Sequence, residues 1–488
     1  MAKAIMVQGT MSNSGKSFLA AALCRIFSQD GYSCAPFKSQ NMALNSYITA
    51  DGCEIGRAQA MQAEAAGITP SVLMNPVLLK PTTDVGSQVI VNGKAVGNMT
   101  ASEYFRRKRE LVPQIMEAYE KLSAEHDIIV IEGAGSPVEL NLKSDDIVNM
   151  GMAELAKAPV LLVGDIDRGG VFAQLLGTLS LLEKNEYDMV KGIVVNKFRG
   201  DIALFGSGRD ILEKRGGKPV LGVVPYLDCD IEDEDSLSHK LDGSEVGVID
   251  IAVIRLPKIS NFTDLDVFAQ YDGVGVRYVT KYENIGTPDL VIIPGTKSTI
   301  ADMKWMRESG LEAAVKRLAA KKVPVFGICG GYQMLGESIS DPLCSECGGG
   351  IKGMGLLSCK TVFGAEKKQT QTRGKFCEIG GIFACLSGAE FSGYEIHMGS
   401  TESSGKQLID CGGEYNGNVY GCYIHGIFDS PQVSERIVKT LYEQKGIKYR
   451  GGIIDRVAYK KMQFDKLAEG VRNSIDMELL YKIVREGL

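Results

Sequence analysis

The stretch Val323-Pro-Val-Phe-Gly-Ile-Cys-Gly-Gly-Tyr-Gln333 joins an apolar run to a glycine-rich turn and then to a segment with helical spacing. It has the form of a nucleophile elbow, in which a sharp turn between a strand and a helix holds a reactive side chain at the carboxyl edge of a sheet. Gly327 and Gly331 are the small residues that such a turn requires. The unpaired N–H groups at the start of the following helix favour the thiolate form of a cysteine placed there. The stretch therefore predicts an α/β fold with Cys329 as a nucleophile.

A histidine follows nearly a hundred residues later, in Tyr423-Ile-His-Gly-Ile-Phe428. A cysteine followed by a distant histidine on an α/β scaffold is typical of acyl transfer through a thioester, with His425 as the base. The alternative is that Cys329 only fills space behind a strand, since the chain contains twelve cysteines. The two glycines, the preceding strand and the later histidine together favour catalysis.

The composition is that of a globular enzyme with more than one domain. The chain has 488 residues, of which 44% are hydrophobic and 23% charged, and this length exceeds a single ordinary core. The net charge of -6 argues against nucleic acid or a membrane surface as a partner. No apolar run approaches the length of about 18 residues that a membrane span requires. The amino end shows no cleavable signal pattern, so we expect a cytoplasmic protein with reduced cysteines.

Short apolar runs predict two series of buried parallel strands. The first series comprises Ile5–Val7, Ile128–Ile131, Val160–Val163, Ile193–Val195 and Val220–Val224. The second series comprises Ile251–Ile254, Leu290–Ile293 and Val323–Ile328. Ligands of such sheets bind at the carboxyl ends of the strands.

An acidic segment, Asp228–Asp235, separates the two series. We therefore predict a first domain over 1–228, a linker over 229–247, a second domain over 248–445 and a C-terminal tail over 446–488. Helical spacing between Tyr459 and Val484 indicates one or two helices in the tail.

The first domain opens with Gly9-Thr-Met-Ser-Asn-Ser-Gly-Lys-Ser17, between a strand and the helix-like stretch Phe18–Phe27. This is the context of a phosphate-binding loop, in which backbone N–H groups cradle phosphates, the lysine reaches the outer oxygens and the hydroxyl of Ser17 ligates magnesium. A chance match or a turn that caps a helix is the alternative, but the strand–loop–helix context favours ATP binding. The candidate ATP-binding residues of the loop are Gly9, Thr10, Ser12, Asn13, Ser14, Gly15, Lys16 and Ser17.

Five residues, instead of the usual four, separate the two glycines of the loop. This longer loop resembles that of the dethiobiotin synthetase group, so the first domain is expected to have that P-loop fold. Mg²⁺ requires further oxygen ligands, and Glu132 ends the strand Ile128–Ile131 in a suitable place, unless it is only a solvated carboxylate. The resemblance implies Glu54 as a second ligand, with Asp51 as the alternative. It also implies that the adenine base lies at Asn196 and Lys197.

Several separate segments resemble the cobyric acid synthase family, and together they extend over the whole chain. They are Phe37–Ser46, Glu54–Gln59, Asn75–Pro81, Gly164–Gly170, Leu256–Asp264, Pro294–Thr299 and the elbow. The resemblance implies an enzyme of adenosylcobalamin biosynthesis that amidates four carboxylates (b, d, e and g) of adenosylcobyrinic acid a,c-diamide. It implies ATP, Mg²⁺ and glutamine as the nitrogen donor. It also implies a C-terminal class I glutamine amidotransferase domain with a flavodoxin-like sheet.

Further site residues follow from this chemistry. The oxyanion of glutamine hydrolysis requires N–H donors, for which Gly330 is adjacent to the nucleophile and Gly295 is implied by the resemblance. Asp146 could orient a substrate carboxylate or take a proton from ammonia, although a helix-capping role for Asp145 or Asp146 is an equal alternative. A corrin with several carboxylates is a polyanion, so basic residues and strand-end residues are substrate candidates. They are Lys38, Arg57, Lys80, Asp165, Asp167 and Arg168.

The histidine motif departs from the usual class I pattern of histidine, proline and glutamate. Here the sequence is His425-Gly426-Ile427, and Asp429 is too displaced to be assumed the replacement. The cobyric acid synthase family shares this departure, so the orienting partner of the imidazole stays open. Cys344 and Cys347 could suggest zinc, but no second cysteine or histidine pair follows at ligand spacing.

Two other functions remain as alternatives. One is the sister enzyme that makes the a,c-diamide, or another P-loop glutamine amidoligase. The other is a P-loop ATPase switch whose amidotransferase domain is not catalytic, against which the intact Cys329 and His425 argue.

Overall fold

The computed structural model of the chain describes residues 2–82, 86–231, 246–346, 348–452 and 455–488. These residues form two compact units, each built on its own parallel sheet. The first unit contains the described residues up to Met42, then Glu54–Ile231 and Lys460–Leu488. The second contains Ala43–Cys53 and the described residues from 246 to 459. The predicted α/β class is confirmed.

The sheet of the first unit has six parallel strands. In spatial order they are Val220–Pro225, Val190–Phe198, Val160–Asp165, Lys3–Gly9, Ile128–Glu132 and Cys34–Phe37. All five predicted runs lie in this sheet, and the short edge strand is additional. A smaller sheet of this unit is formed by Gln40–Met42, Val77–Pro81, Gly86–Val91 and Lys94–Thr100.

The central strands of the six-stranded sheet are buried along nearly their whole length, as expected for a parallel sheet that helices cover on both faces. The helices with most or all of their residues in this unit are Lys16–Gln29, Arg57–Ala66, Ala101–Arg107, Val112–Glu125, Met150–Ala156, Val171–Leu181, Lys184–Met189, Gly206–Gly216, Arg456–Arg472 and Met477–Glu486. The first of them begins directly after the phosphate-binding loop and buries Leu19 and Leu23 in one cluster with Ile5 and Val7.

The predicted helical tail is helical, but most of it belongs to the first unit. Phe464, Leu467 and Val471 of one helix and Leu480 of the next are buried in the same cluster as Leu19. The tail is therefore part of the core of the P-loop unit. Helical spacing in the sequence predicted the helices and contained no signal for this partner.

The sheet of the second unit has seven strands. In spatial order they are Val274–Val279, Ile249–Ile254, Leu290–Ile293, Val325–Ile328, Val419–Cys422, Gly412–Asn416 and Lys406–Ile409. The first five are parallel and have the chain order 2-1-3-4-5 of flavodoxin-like sheets. The other two are antiparallel. The predicted flavodoxin-like domain is confirmed.

A second sheet in this unit is formed by Gly349–Lys352, Ser338–Asp341, Cys359–Lys375 and Glu390–Ser403. The helices of the unit are Thr299–Glu308, Leu311–Ala320, Gly330–Leu335 and Pro431–Gln444. Within the described ranges, no helix combines the length and the apolarity that crossing a bilayer requires. Cys347 of the proposed cysteine pair and residues 232–245 of the predicted linker lie outside the described residues.

Candidate functional site

The elbow around Cys329 has the geometry that its glycines predict. The strand Val325–Ile328 ends at the cysteine, and the helix Gly330–Leu335 begins immediately after it. Cys329 has φ 51° and ψ -107°, a conformation that is costly for a residue with a side chain and is found mostly at functional sites. A Cβ on Gly331 would lie 1.9 Å from the carbonyl oxygen of Ile293. Only glycine can therefore occupy this position beside the neighbouring strand.

The structure brings His425 and Cys329 together. The Cys329 Sγ lies 3.6 Å from the carbonyl oxygen of Ile396, and its side chain also interacts with the imidazole of His425. Cys329 and His425 are both buried. The ring of Tyr394 stacks on the imidazole with a centroid distance of 5.3 Å. The thiol and the imidazole are thus held side by side and away from bulk water.

Asp264 is the orienting partner of His425. Its Oδ2 lies 2.7 Å from His425 Nδ1, and its Oδ1 accepts a hydrogen bond from the N–H of Gly426 at 3.0 Å. Burial by itself would lower the pKa of His425, but the Asp264 carboxylate and the Cys329 side chain raise it to about 10. The Asp264 contact thus stabilises the protonated form of the His425 imidazole.

The sequence reasoning missed this role of Asp264. The residue ends the segment Leu256–Asp264, which supported the family resemblance, but nothing in its spacing pointed to a histidine 161 residues later. The other acid that was considered, Asp429, forms an ion pair with Arg456 at 3.1 Å.

The two candidate oxyanion donors flank the cysteine and the histidine. A Cβ on Gly295 would lie 2.9 Å from His425 Cε1, and a Cβ on Gly330 would lie 2.7 Å from Thr296 Cγ2. The turn after the strand Leu290–Ile293 therefore lies against both the imidazole and the start of the elbow helix.

A cavity of about 870 Å³ opens in the same unit. Its lining includes Tyr332, Glu395, His397 and Tyr423. The imidazole of His397 lies 3.1 Å from the Glu395 carboxylate and stacks on Tyr423. Glu395 and His397 flank Ile396, whose carbonyl contacts the Cys329 thiol. The cavity is thus lined by both chain neighbours of the residue whose carbonyl contacts the Cys329 thiol.

The phosphate-binding loop is closed by its own lysine. Lys16 Nζ donates to the carbonyl oxygens of Met11 at 2.9 Å and of Gly135 at 3.2 Å. Gly15 has φ 90°, and a Cβ there would lie 2.1 Å from Asn196 Nδ2. Among the described residues, the buried hydroxyl oxygen of Ser14 has no hydrogen-bond partner. A loop with a poised ammonium and an unsatisfied hydroxyl fits a phosphate chain.

Glu132 lies directly beside Ser17. The Ser17 hydroxyl donates to Glu132 Oε1 at 2.8 Å, and Lys38 Nζ donates to the same oxygen at 2.9 Å. Gln62 Nε2 donates to Glu132 Oε2 at 2.6 Å. Burial raises the pKa of Glu132, but Lys38 and the three hydrogen bonds outweigh burial and lower it. An ionised carboxylate beside a serine hydroxyl is a donor set that fits Mg²⁺.

Glu54 and Asp51, the alternatives for the second acidic ligand, belong to different units. Glu54 is buried on the P-loop unit and forms an ion pair with Lys80 at 2.9 Å. Asp51 belongs to the second unit and accepts a hydrogen bond from Thr49. In the part of the chain that the structure describes, no group of three or more acidic, histidine or cysteine residues is arranged to hold a metal ion.

The predicted adenine-site residues contact the phosphate-binding loop. Asn196 Nδ2 donates to the carbonyl oxygen of Ser14 at 2.9 Å, and Lys197 donates to that of Asn13. Lys197 also donates to Asp165 Oδ2 at 2.9 Å. The candidates Gly9, Thr10 and Ser12 are themselves residues of the phosphate-binding loop.

Several substrate candidates have carboxylate partners on their own unit. Lys38 is paired with Glu132 as described above, and Arg57 lies 3.8 Å from Glu64. Asp167 is bonded to Arg199 at 2.8 Å, while Arg168 is half-exposed and lies 3.9 Å from Asp165. Of the four basic substrate candidates, Arg168 has the most exposed side chain, whereas Lys38, Arg57 and Lys80 are buried.

Asp146 has the geometry of the capping alternative. Its Oδ1 accepts hydrogen bonds from the N–H groups of Val148 and Asn149, and its Oδ2 accepts one from Gly151 at the start of the helix Met150–Ala156. The side chain thus holds the loop that follows Glu132.

Together, a P-loop with an adjacent acid and a cysteine–histidine–aspartate triad on a flavodoxin-like sheet define the class of glutamine-dependent, ATP-using ligases. Two family models match the chain. The CobQ/CobB/MinD/ParA nucleotide binding domain covers residues 5–238, and the CobB/CobQ-like glutamine amidotransferase domain covers residues 250–433.

Full-length relatives identify the family. The cobyric acid synthase of Ruminiclostridium cellulolyticum is 55% identical over 100% of this chain and 98% of its own. That of Lachnoclostridium phytofermentans is 55% identical over 100% of both chains. That of Salmonella typhimurium is 49% identical over 100% of this chain and 99% of its own. This chain belongs to the cobyric acid synthase family, and it is a glutamine-dependent ligase of cobalamin biosynthesis.

Proposed function

We propose that this chain converts four peripheral carboxylates (b, d, e and g) of adenosylcobyrinic acid a,c-diamide into amides, with ATP and glutamine as co-substrates. The observation that carries the proposal is the Cys329–His425–Asp264 triad in the same chain as the Ser17–Glu132 pair beside a phosphate-binding loop. One half of the chain is built to release ammonia and the other to activate a carboxylate. The full-length similarity to cobyric acid synthases supports the corrinoid as the acceptor.

The glutaminase half begins with Cys329, whose thiolate is the nucleophilic form of a cysteine, beside the protonated imidazole of His425. The sulfur attacks the amide carbon of glutamine, and the oxyanion accepts hydrogen bonds from the N–H groups of Gly330 and Gly295. The C–N bond breaks as His425 gives its proton to the departing nitrogen, which leaves as NH₃. The neutral His425 then takes a proton from water, whose oxygen attacks the thioester and releases glutamate. Asp264 holds the imidazole in place through both steps.

The ligase half overcomes the poor reactivity of a carboxylate, whose leaving group would be oxide. We propose that a substrate carboxylate attacks the γ-phosphorus of ATP, that the bond to the β,γ-bridging oxygen breaks, and that ADP leaves as an acyl phosphate forms. Ammonia then attacks the acyl carbon, and inorganic phosphate leaves as the amide forms. Lys16 moves from the carbonyl oxygens of Met11 and Gly135 to the phosphate oxygens. Mg²⁺ held by Ser17 and Glu132, with Glu54 as a further candidate, would supply neutralisation of the phosphate charge.

The remaining candidates are proposed for binding. Asn196 and Lys197 lie against the loop and would contact the nucleotide. Lys38, Arg57, Lys80 and Arg168 are the bases that we propose for the polyanionic corrinoid, with Asp165 and Asp167 holding the basic residues near them. We propose that Asp146 acts by holding the loop after Glu132. The described cysteines are free thiols, in keeping with the cytoplasm, where we place the enzyme.

The deciding experiment combines the purified protein with ATP, Mg²⁺, glutamine and the a,c-diamide, followed by mass spectrometry. We expect four successive mass shifts, each corresponding to conversion of a carboxylate into an amide. The sister enzyme would instead act on substrate that lacks the a and c amides. If the diamide remains unchanged with either glutamine or ammonium, the proposed function is wrong.

A further inference from the structure

The segment Ala43–Cys53 belongs to the amidotransferase unit, although it lies in the chain between two parts of the P-loop unit. Residues 40–42 before it and 54–56 after it are strands of the first unit. Asn45, Ser46 and Ile48 of the segment are fully or almost fully buried. The segment is therefore an integral part of the amidotransferase unit, contributed by the N-terminal part of the chain.

A reciprocal pair of hydrogen bonds joins the segment to Asn261. The N–H of Asn261 donates to Asn45 Oδ1 at 2.6 Å, and the N–H of Ser46 donates to Asn261 Oδ1 at 3.0 Å. Asn261 is 3% exposed, so both bonds are shielded from water. Each backbone N–H would be left unsatisfied in the interior if its asparagine partner were removed, which is costly.

Asn261 in turn sets the position of Asp264. It has φ 53°, a left-handed conformation, and it begins the single helical turn Phe262–Leu265. Its carbonyl oxygen accepts the N–H of Asp264 at 3.1 Å. The turn is short and begins at a strained residue. The hydrogen bonds that hold Asn261 therefore also determine the direction of the Asp264 carboxylate.

The segment reaches the histidine by a second route. The hydroxyl of Tyr394 donates to the carbonyl oxygen of Ser46 at 3.2 Å, and the Tyr394 ring is the one that stacks on His425, at an angle of 22°. The backbones of Tyr394 and His425 also exchange two hydrogen bonds. Ile48 packs against Tyr394 and Ile396. Both members of the Asp264–His425 pair are thus supported by one segment.

We propose that Ala43–Cys53 is a positioning segment for the glutaminase triad and that Asn45 is the residue through which it holds Asp264. Asn45 acts on the triad through its hydrogen bond with Asn261, so it is a positioning residue. This inference rests on the proposed function, because it assigns a role within glutamine hydrolysis.

The test compares Asn45→Ala with Ala50→Ser, a change at an exposed residue of the same segment. Asn45→Ala should lower kcat for glutamine hydrolysis by about 10- to 100-fold, since small misplacements of a catalytic group have effects of this size. KM for glutamine should stay within about twofold, because Asn45 is not among the residues that line the cavity of this unit. Amidation with ammonium should be retained, and Ala50→Ser should match the wild type.

The pH profile separates positioning from general destabilisation. Release of Asp264 weakens its hold on the imidazolium, so the alkaline limb of kcat for glutamine hydrolysis should move to lower pH in Asn45→Ala. A smaller amount of folded protein would lower the profile without moving it. An unmoved limb, or an unchanged kcat, overturns the inference.

Asn261→Gly provides the second variant, because glycine keeps the left-handed backbone and removes the Oδ1 acceptor. It should reproduce the effect of Asn45→Ala, and the double variant should lose less than the product of the two single effects. If Asn45→Ala fails to fold, Asn261→Gly decides by the same readouts. A wild type that makes no amide with any nitrogen source would contradict the proposed function, whereas a glutaminase indifferent to both variants would contradict only this inference.

Discussion

Asp264 takes the place that a glutamate two residues after the histidine has in most class I amidotransferases. Its carboxylate bonds both the imidazole and the N–H of Gly426, so it fixes the ring and the turn behind it. Asp264 comes from a different part of the chain than that glutamate, but both carboxylates meet the same physical requirement. A buried imidazole needs one acceptor that determines its tautomer and stabilises its charge.

The first prediction concerns this contact. Asp264→Asn keeps the size of the side chain but removes the charge, so kcat for glutamine hydrolysis should fall by about 10²- to 10⁴-fold. Glutamate release measures the effect, and amidation with ammonium serves as the control because it does not require the triad. A variant with wild-type glutaminase activity would remove Asp264 from the mechanism.

The second prediction concerns pH. The pKa of His425 is raised in the folded protein to about 10, above its ordinary value of about 6.5. The ion pair with Asp264 therefore stabilises the fold fully below about pH 6.5, and this contribution is lost as the pH rises through about 10. The free energy of unfolding of the wild type should exceed that of Asp264→Asn at pH 6.5, and the difference should shrink toward pH 10.

The fluorescence of Trp305 allows the free energy of unfolding to be measured for the amidotransferase unit. Trp305 is the only tryptophan of the chain and lies in the helix Thr299–Glu308 of the amidotransferase unit. Urea unfolding followed by its fluorescence reports on the unit that contains the pair. A difference that grows with pH would have the wrong sign for a histidine whose pKa is raised.

Among the secondary-structure elements, the two C-terminal helices have the least expected position. They are separated from the P-loop unit by the whole amidotransferase unit in the chain, yet they complete the core beside the helix Lys16–Gln29. Apolar side chains of both helices are buried there at less than a tenth of their exposed area. We therefore expect these helices to stabilise the ATP-binding unit.

The third prediction compares two residues of the helix Arg456–Arg472. Leu467 is 2% exposed, whereas Met462 is 53% exposed. Leu467→Ala should destabilise the P-loop unit by about 2–5 kcal/mol through lost burial and a cavity. Met462→Ala should change its stability by less than about 0.5 kcal/mol.

Guanidinium unfolding followed by far-ultraviolet circular dichroism would measure both variants, with Trp305 fluorescence as the report on the other unit. Equal effects of the two substitutions would show that the tail does not pack as described.

At the scale of the whole molecule, the proposed function combines two reactions that ammonia connects. In that proposal, glutamine hydrolysis uses residues of the amidotransferase unit, and carboxylate activation uses residues of the P-loop unit. An external supply of ammonia should replace the first reaction but not the second. The two halves can therefore be separated by substitution in the intact chain.

The fourth prediction is that substitutions in the two units differ in whether ammonium can restore amidation. Cys329→Ala should abolish amidation with glutamine and retain amidation with ammonium salts, because only the nucleophile is lost. Lys16→Ala should abolish amidation with both nitrogen sources, because acyl phosphate formation requires the lysine. Mass spectrometry of the corrinoid measures both. A P-loop switch with a non-catalytic amidotransferase domain would be indifferent to Cys329→Ala.

The sequence by itself determined the features that depend on neighbouring residues. Buried parallel strands appear as short apolar runs, and the elbow at Cys329 and the loop before Lys16 appear as glycines at fixed spacing, because local dihedral angles and burial leave a local pattern. Tertiary structure alone decided that Asp264 orients His425, that Ala43–Cys53 joins the amidotransferase unit and that the tail completes the P-loop core. These depend on which distant surfaces pack together, and no spacing within a segment specifies its partner.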